Sequence, residues 1–255
     1  MPRLRRGLEA LTILAILLGA LRADSDARAN ALVADLSQHL IAITTAFIGT
    51  NVVLFGTSDG DGDIVVTVHG PREVQIVRRK AQVAGIWINR TRLAFADVPG
   101  YYAVASSGPL EAIAHPDVLA RHEIGVEHLK LKPIDATAFE ISEIAAFQDA
   151  LVRNKQRQDL YSRTPAPVNF IGPRLFRTTL SFPANVSPGI YRVQVFELSD
   201  GQVTDAQRST LVISKIGLEA DIYDFAQQQS ALYGLLAVAL SLSVGWLAGV
   251  IFRKG

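Results

Sequence analysis

The sequence predicts a mainly β protein: an immunoglobulin-like β-sandwich with a helical insertion, followed by one C-terminal transmembrane helix. Three observations carry that expectation. From His39 onward, short alternating apolar runs separated by Gly, Pro and Asp turn signals recur at strand spacing. Between about 110 and 163 the apolar residues shift to helical spacing. From Ala231 to Phe252 no charged residue occurs.

Residues 1–29 read as an export signal. Arg3, Arg5 and Arg6 make a basic start, Ala10 to Leu21 is an uncharged apolar run, and Ala27 and Ala29 offer small residues for cleavage. The run is too short to span a bilayer comfortably. Glu9 and the charges at Arg22, Asp24, Asp26 and Arg28 sit against the pattern, and an uncleaved anchor or an amphipathic surface helix is the alternative.

The body, 30–226, begins with "HLIAITTAF", which places Ile41, Ile43, Thr45 and Phe47 on one face, and continues with "NVVLFG", "DIVVTVHGP", "EVQIVRR", "AGIWIN", "LAF" and "YYAVAS". Trp87 alternates away from Ile86 and Ile88 and reads as a core or sheet-face aromatic. In the middle, Pro116 is placed to begin a short helix. Thr137 to Glu140 fits a capping box ahead of a helix running to about Leu160. The prolines of "SRTPAPVNF" end it, and "RLFRTTLSFP", "GIYRVQVFELSDGQ" and "STLVISKIG" return to strands. A proline-glycine turn before an alternating aromatic strand is a feature of the last strands of immunoglobulin-like modules. Two small β modules joined by helices are the alternative architecture.

The segment 231–252 would reach roughly 33 Å as a helix at about 1.5 Å per residue, which matches a bilayer core. A helix of a soluble core would carry a polar stripe. Here only Ser241 and Ser243 interrupt, and each can bond to the carbonyl one turn back. Gln227 to Gln229 mark one boundary and Arg253-Lys254 the other. With an export signal ahead, the body lies outside the cytoplasm and residues 253–255 form a cytoplasmic stub, as the positive-inside rule prefers. Ala237, Ser241, Gly245 and Gly249 recur at every fourth position, a small-residue face against which another helix could pack closely.

Motifs for chemistry are scarce. The formal net charge of +1 supplies no global field for nucleic acid, and without cysteine there is no disulfide or thiolate chemistry. The loop Asp59-Gly-Asp61-Gly-Asp63 resembles a calcium loop but has Ile64 where such a loop needs glycine and Gly70 where it needs glutamate, so it reads as a hairpin turn. His39, His69, His115, His122 and His128 form no HxxxH or HExxH pair. No nucleophile elbow, phosphate loop or dinucleotide fingerprint occurs. These readings point to a protein that is not an enzyme and needs no cofactor. The run Arg78-Arg79-Lys80 is the densest charge cluster away from the ends; it is a candidate for a small anion, acidic lipid heads or a partner's acidic loop, against the plainer reading of a solvated strand edge.

The segments "LIAITTAFIGTNVVLFG", "VHGPREVQIVRRKAQVAGIWIN", "DVPGYYAVASSGPL", "NKQRQDLYS" and "LYGLLAVALSLSVGWLAGVIFRK" together resemble a family of alphaproteobacterial transmembrane proteins. The resemblance runs through nearly all of the chain after the export signal. It implies a Gram-negative inner-membrane location, single-pass with the bulk periplasmic. Because the family's genes often lie beside those of TauE/SafE-type sulfite or organosulfur exporters, it also implies a polytopic transporter as partner. It brings no catalytic residue to this chain. The expectation is therefore a non-enzymatic accessory of a transporter, held by the lipid bilayer and meeting its partner, or a second copy of itself, through the helix face. A periplasmic module that binds a small anion near Arg78, Arg79 and Lys80 is the alternative, and an enzyme whose site is assembled from dispersed residues is a third reading.

Overall fold

The computed structural model describes residues 32–58, 62–83, 85–216 and 225–252. The export-signal segment 1–29, Asp59 to Asp61 of the acidic loop, and the stub 253–255 lie outside the described residues.

The body is mainly β, as the alternation predicts, and its strands form three sheets. In the first, β1 (Val33–Leu36), β3 (Gly49–Thr57), β11 (Leu175–Pro183) and β10 (Asn169–Ile171) lie side by side in that order, all antiparallel. The second has the order β2-β13-β12-β4-β7-β9, from β2 (Leu40–Ile43), β13 (Gln202–Lys215), β12 (Gly189–Ser199), β4 (Asp63–His69), β7 (Tyr102–Ser106) and β9 (Ala166–Pro167). Its outer pairs β2 with β13 and β7 with β9 are parallel, and the rest are antiparallel.

The period-2 pattern explains the packing of both sheets. Val52 and Leu54 of β3, and Phe176, Thr178, Leu180 and Phe182 of β11, are buried while their neighbours face solvent. On the second sheet Tyr191, Val193 and Val195 of β12, with Leu211 and Ile213 of β13, point the same way into one shared core. Between the two sheets, Phe182 stacks on Tyr101 at 5.0 Å between ring centres and meets Tyr191 edge-on at 5.8 Å. The Tyr191 hydroxyl donates to the Ser187 carbonyl at 2.7 Å, so the polar tip of a fully buried ring has a partner.

β4 is buried on both faces, because the segment after β7 covers its outer side. α1 (Leu110–Ile113) and α2 (Pro116–His122) lie there, the second beginning at Pro116 as its fixed φ favours. α3 (Ile141–Arg157) buries Phe147, Leu151 and Lys155. The Lys155 ammonium donates to Glu73 Oε1 at 2.9 Å, which fastens this helix to the third sheet. No capping box forms: Thr137 lies in a single 3-10 turn, Ala136–Ala138, and Glu140 caps α3 without a side-chain bond. The segment is also not wholly helical, since β8 (Lys132–Ile134) adds a strand within it.

β8 belongs to the third sheet, β5-β6-β8, whose core is a long hairpin of β5 (Arg72–Val83) and β6 (Ile86–Pro99). The sequence reads "AGIWIN" and "LAF" as two strands; the structure makes them one. One register shift, which leaves Arg90 unpaired opposite the Arg79-Lys80 step, carries β6 through the polar stretch between them; a second, between Glu73 and Gln75, lies beyond "LAF" opposite Ala96 and Asp97.

The last element is α4 (Ser230–Phe252), 23 residues with no buried side chain in its apolar window Ser230–Gly249. At about 1.5 Å per residue it is roughly 35 Å long. Ser241 and Ser243 donate to the carbonyls of Ala237 and Ala239 at 2.8 and 2.7 Å, so neither hydroxyl is left bare.

Candidate functional site

Outward-facing residues of the second sheet supply the floor of a cleft of about 470 Å³. Register places His69 of β4 opposite Arg192 of β12, Arg192 opposite Thr210 of β13, and Gln194 opposite Arg208. These residues project outward because their neighbours Val68, Tyr191, Val193 and Leu211 are committed to the core. The C-terminal end of α2 forms a wall with Arg121, His122 and Glu123, and Arg72 and Lys130 complete the rim.

Five permanent cations, Arg72, Arg121, Lys130, Arg192 and Arg208, thus face one carboxylate, Glu123. Glu123 occupies the left-handed region at φ 54, where it ends α2. Two contacts from the Tyr102 hydroxyl hold that turn: it donates to the Glu123 carbonyl at 2.6 Å and accepts from the Gly125 N–H at 2.8 Å. Gly125 itself has φ 100, a conformation side chains resist. The Glu123 carboxylate reaches Arg72 Nη2 at 3.4 Å. Among the described residues Arg121, Lys130, Arg192 and Arg208 meet no carboxylate within ion-pairing distance, so one anionic group stands among several unneutralised cations.

His69 sits beneath this charge at 3% exposure, its ring edge-on to Tyr102 at 5.0 Å. Its Nε2 has no hydrogen-bond partner among the described residues and lies 3.9 Å from Glu123 Oε2. Burial pushes its pKa down to about 4; Glu123 opposes the shift, while Arg192 and Arg72 add to it. The imidazole is therefore neutral at pH 7. His122, packed on Phe196 at 5.1 Å, is also held below the ordinary histidine range, by burial and then by Arg121 and Lys130.

The chemistry of such a cleft is recognition of a small oxyanion. Guanidinium forks match the paired oxygens of carboxylate, sulfonate, sulfate or phosphate, and the volume lies within the roughly 300–1,000 Å³ of small-molecule sites. No three His, Asp or Glu side chains among the described residues converge as a metal set.

The residues singled out by sequence lie elsewhere. Arg79 turns to α3, where it reaches Glu143 at 3.5 Å and covers the Phe147 ring at 4.9 Å. Arg78 and Lys80 are exposed on the opposite face of β5, so the three cations do not converge on one point. Trp87 is 65% exposed at the hairpin end and takes no part in the core. Ala237, Ser241, Gly245 and Gly249 follow one another up α4, and a Cβ added at Gly245 or Gly249 would meet nothing within 4 Å. The cleft itself escaped sequence reading because its cations are scattered from position 72 to position 208. The signal that was present is the run of polar residues on the outward half of β12 and β13, "RVQV" and "RSTL".

A mainly β body with a cationic cleft, together with one apolar helix long enough to cross a bilayer, fits a membrane-associated protein. The chain belongs to the family described as "Putative transmembrane protein (Alph_Pro_TM)", which matches residues 31–254 and is named for Alphaproteobacteria. Neither a curated protein nor a solved structure matches it.

Proposed function

We propose that this is a non-enzymatic, single-pass inner-membrane protein whose periplasmic domain captures a small oxyanion in the cleft of Arg72, Arg121, Lys130, Arg192 and Arg208, acting as the accessory of a transporter. One observation carries the reading: five cations and a single carboxylate share a cleft in a chain whose net charge is only +1. Like charges so gathered cost stability unless a counter-ion relieves them. Glu123 is the internal stand-in for that ion, and an incoming oxyanion would compete with it for Arg72.

The domain that holds the cleft is best read as an immunoglobulin-like sandwich. The orders β1-β3-β11-β10 and β2-β13-β12-β4-β7 correspond to the ABED and GFC-type sheets of that fold. Tyr191, near the start of β12 and bonded back to Ser187, supports that reading as a counterpart of the tyrosine corner. The hairpin and the helical segment are then insertions on either side of β7, and the second builds one wall of the cleft.

The test is a thermal melt of the full chain in detergent with sulfate, sulfite or phosphate. At about a hundred times Kd a specific ligand stabilises by about 2.7 kcal/mol, which moves Tm by several degrees for a domain of this size. Replacing Arg192 and Arg208 by Gln should abolish the shift, and replacing Arg78 and Lys80 should leave it. No shift with any of these anions, or a shift that survives the Arg192/Arg208 variant, would remove the proposal.

A further inference from the structure

We propose that the end of the β5-β6 hairpin is a second membrane contact, one that inserts its apolar tip into the surface of a bilayer rich in anionic lipid. Val77 and Leu93 are the last buried pair along the hairpin, and past them no described residue is buried. At the far end Ile86, Trp87 and Ile88 are 68, 65 and 44% exposed. Ile86 and Ile88 lie on one face of the ribbon and Trp87 on the other, so rotating the hairpin against the body cannot hide all three. Between Glu73 and Asp97 the sequence holds no acidic residue and five basic ones: Arg78, Arg79, Lys80, Arg90 and Arg92. Arg79 is occupied by Glu143 and Phe147; no described carboxylate pairs with the other four.

The spacing fits a bilayer surface. Lys80 pairs with Asn89, three rows from the terminal pair Val83 and Ile86, which puts the lysine about 10 Å below the tip at about 3.3 Å per residue. Interfacial apolar groups sink roughly 5–10 Å past the headgroups, so Lys80 and the unpaired Arg90 would lie at phosphate level when Trp87 and the two isoleucines are in the acyl boundary. Deeper entry is barred. β8 pairs with β6 only at Ala94 to Ala96, so the protruding ribbon has two open edges whose polar backbone groups cannot enter hydrocarbon.

Protein partners suit this tip less well. Three side chains on a convex two-stranded end fall far short of the roughly 800 Å² that each partner of a stable complex contributes. A second copy would oppose the same basic collar to itself. The chain also carries its own bilayer segment, α4, so a lipid surface is always within reach of the tether. This inference stands apart from the anion cleft, which shares no residue with the collar.

Trp87 and Trp246 are the two tryptophans, so a Trp246→Phe variant leaves Trp87 as the reporter. The full chain would be reconstituted into vesicles of phosphatidylcholine alone and of an equimolar mixture with phosphatidylglycerol. In the mixed vesicles the Trp87 emission should shift to the blue and be quenched by lipids brominated near the start of the acyl chain. High salt, or Lys80→Gln with Arg90→Gln, should reverse both effects. The salt arm needs no change in the hairpin and guards against a misfolded collar variant. Emission like that of exposed tryptophan in both vesicle types would overturn the proposal, as would equal quenching in both, which would deny the collar its role. Burial of Trp87 that tracks protein concentration and not lipid composition would also overturn it, in favour of self-association.

Discussion

His69 ties the protonation of the cleft to both stability and binding. Its folded pKa of about 4 lies below the ordinary 6.5, so the unfolded chain binds the proton more tightly. Stability associated with the neutral imidazole is whole above pH 6.5 and is lost as pH falls from 6.5 to 4, a total of about 3 kcal/mol. An oxyanion among Arg72, Arg121, Lys130, Arg192 and Arg208 opposes the part of that shift due to Arg192 and Arg72, although not the larger part due to burial, because it adds a negative charge near the imidazole, beside Glu123. Binding then takes up a proton, and affinity should rise as pH drops from 7 toward 5, by up to about tenfold per unit. Calorimetric titration with sulfate in buffers of different ionisation enthalpy measures that uptake directly. His69→Gln should keep binding but flatten its pH profile; an unchanged slope in this variant would assign the proton to His122 instead.

At the level of elements, what the sequence made legible is what the core enforces. Alternation in β3, β11, β12 and β13 is visible because one face of each is buried, and α4 is visible because hydrocarbon tolerates no charge along it. The hairpin reads in fragments from sequence, since past Val77 and Leu93 no described residue of it is buried and the pattern dissolves into basic residues. The cleft was hidden for a related reason: it is built from outward positions, which no burial pattern marks, on strands joined only by register. The apparent capping box failed because Glu140, its last member, itself stands at the N-cap of α3. On α4, the small-residue face makes a prediction of its own. With Ser241 bonded to Ala237 and open space at Gly245 and Gly249, a partner helix could approach without displacing any described side chain. Gly249→Ile should abolish recovery of a transporter, or of a second copy, with this protein from native membranes while the melting temperature of the body stays the same. Full recovery in that variant would exclude this face as the contact.

For the whole molecule, capture of an extracytoplasmic anion has meaning only if the body and the C-terminal end of α4 lie on opposite sides of the membrane. Two features bear on the choice. Arg253 and Lys254 follow α4 directly, whereas Gln227 to Gln229 before it are uncharged. Cations beside a membrane helix favour the cytoplasmic side, and the opposite arrangement would carry two of them across the bilayer while leaving none behind at the other boundary. The absence of cysteine makes the matter directly measurable, because each introduced thiol is unique in the chain. Gln202→Cys places one at the exposed start of β13, and Gly255→Cys places another after the basic pair. A membrane-impermeant maleimide should label the first in intact spheroplasts and the second only after permeabilisation. The reverse pattern would put the cleft in the cytoplasm, where it could not meet an anion arriving from outside. The thermal response to anions would survive that result, but the role as a periplasmic accessory would not.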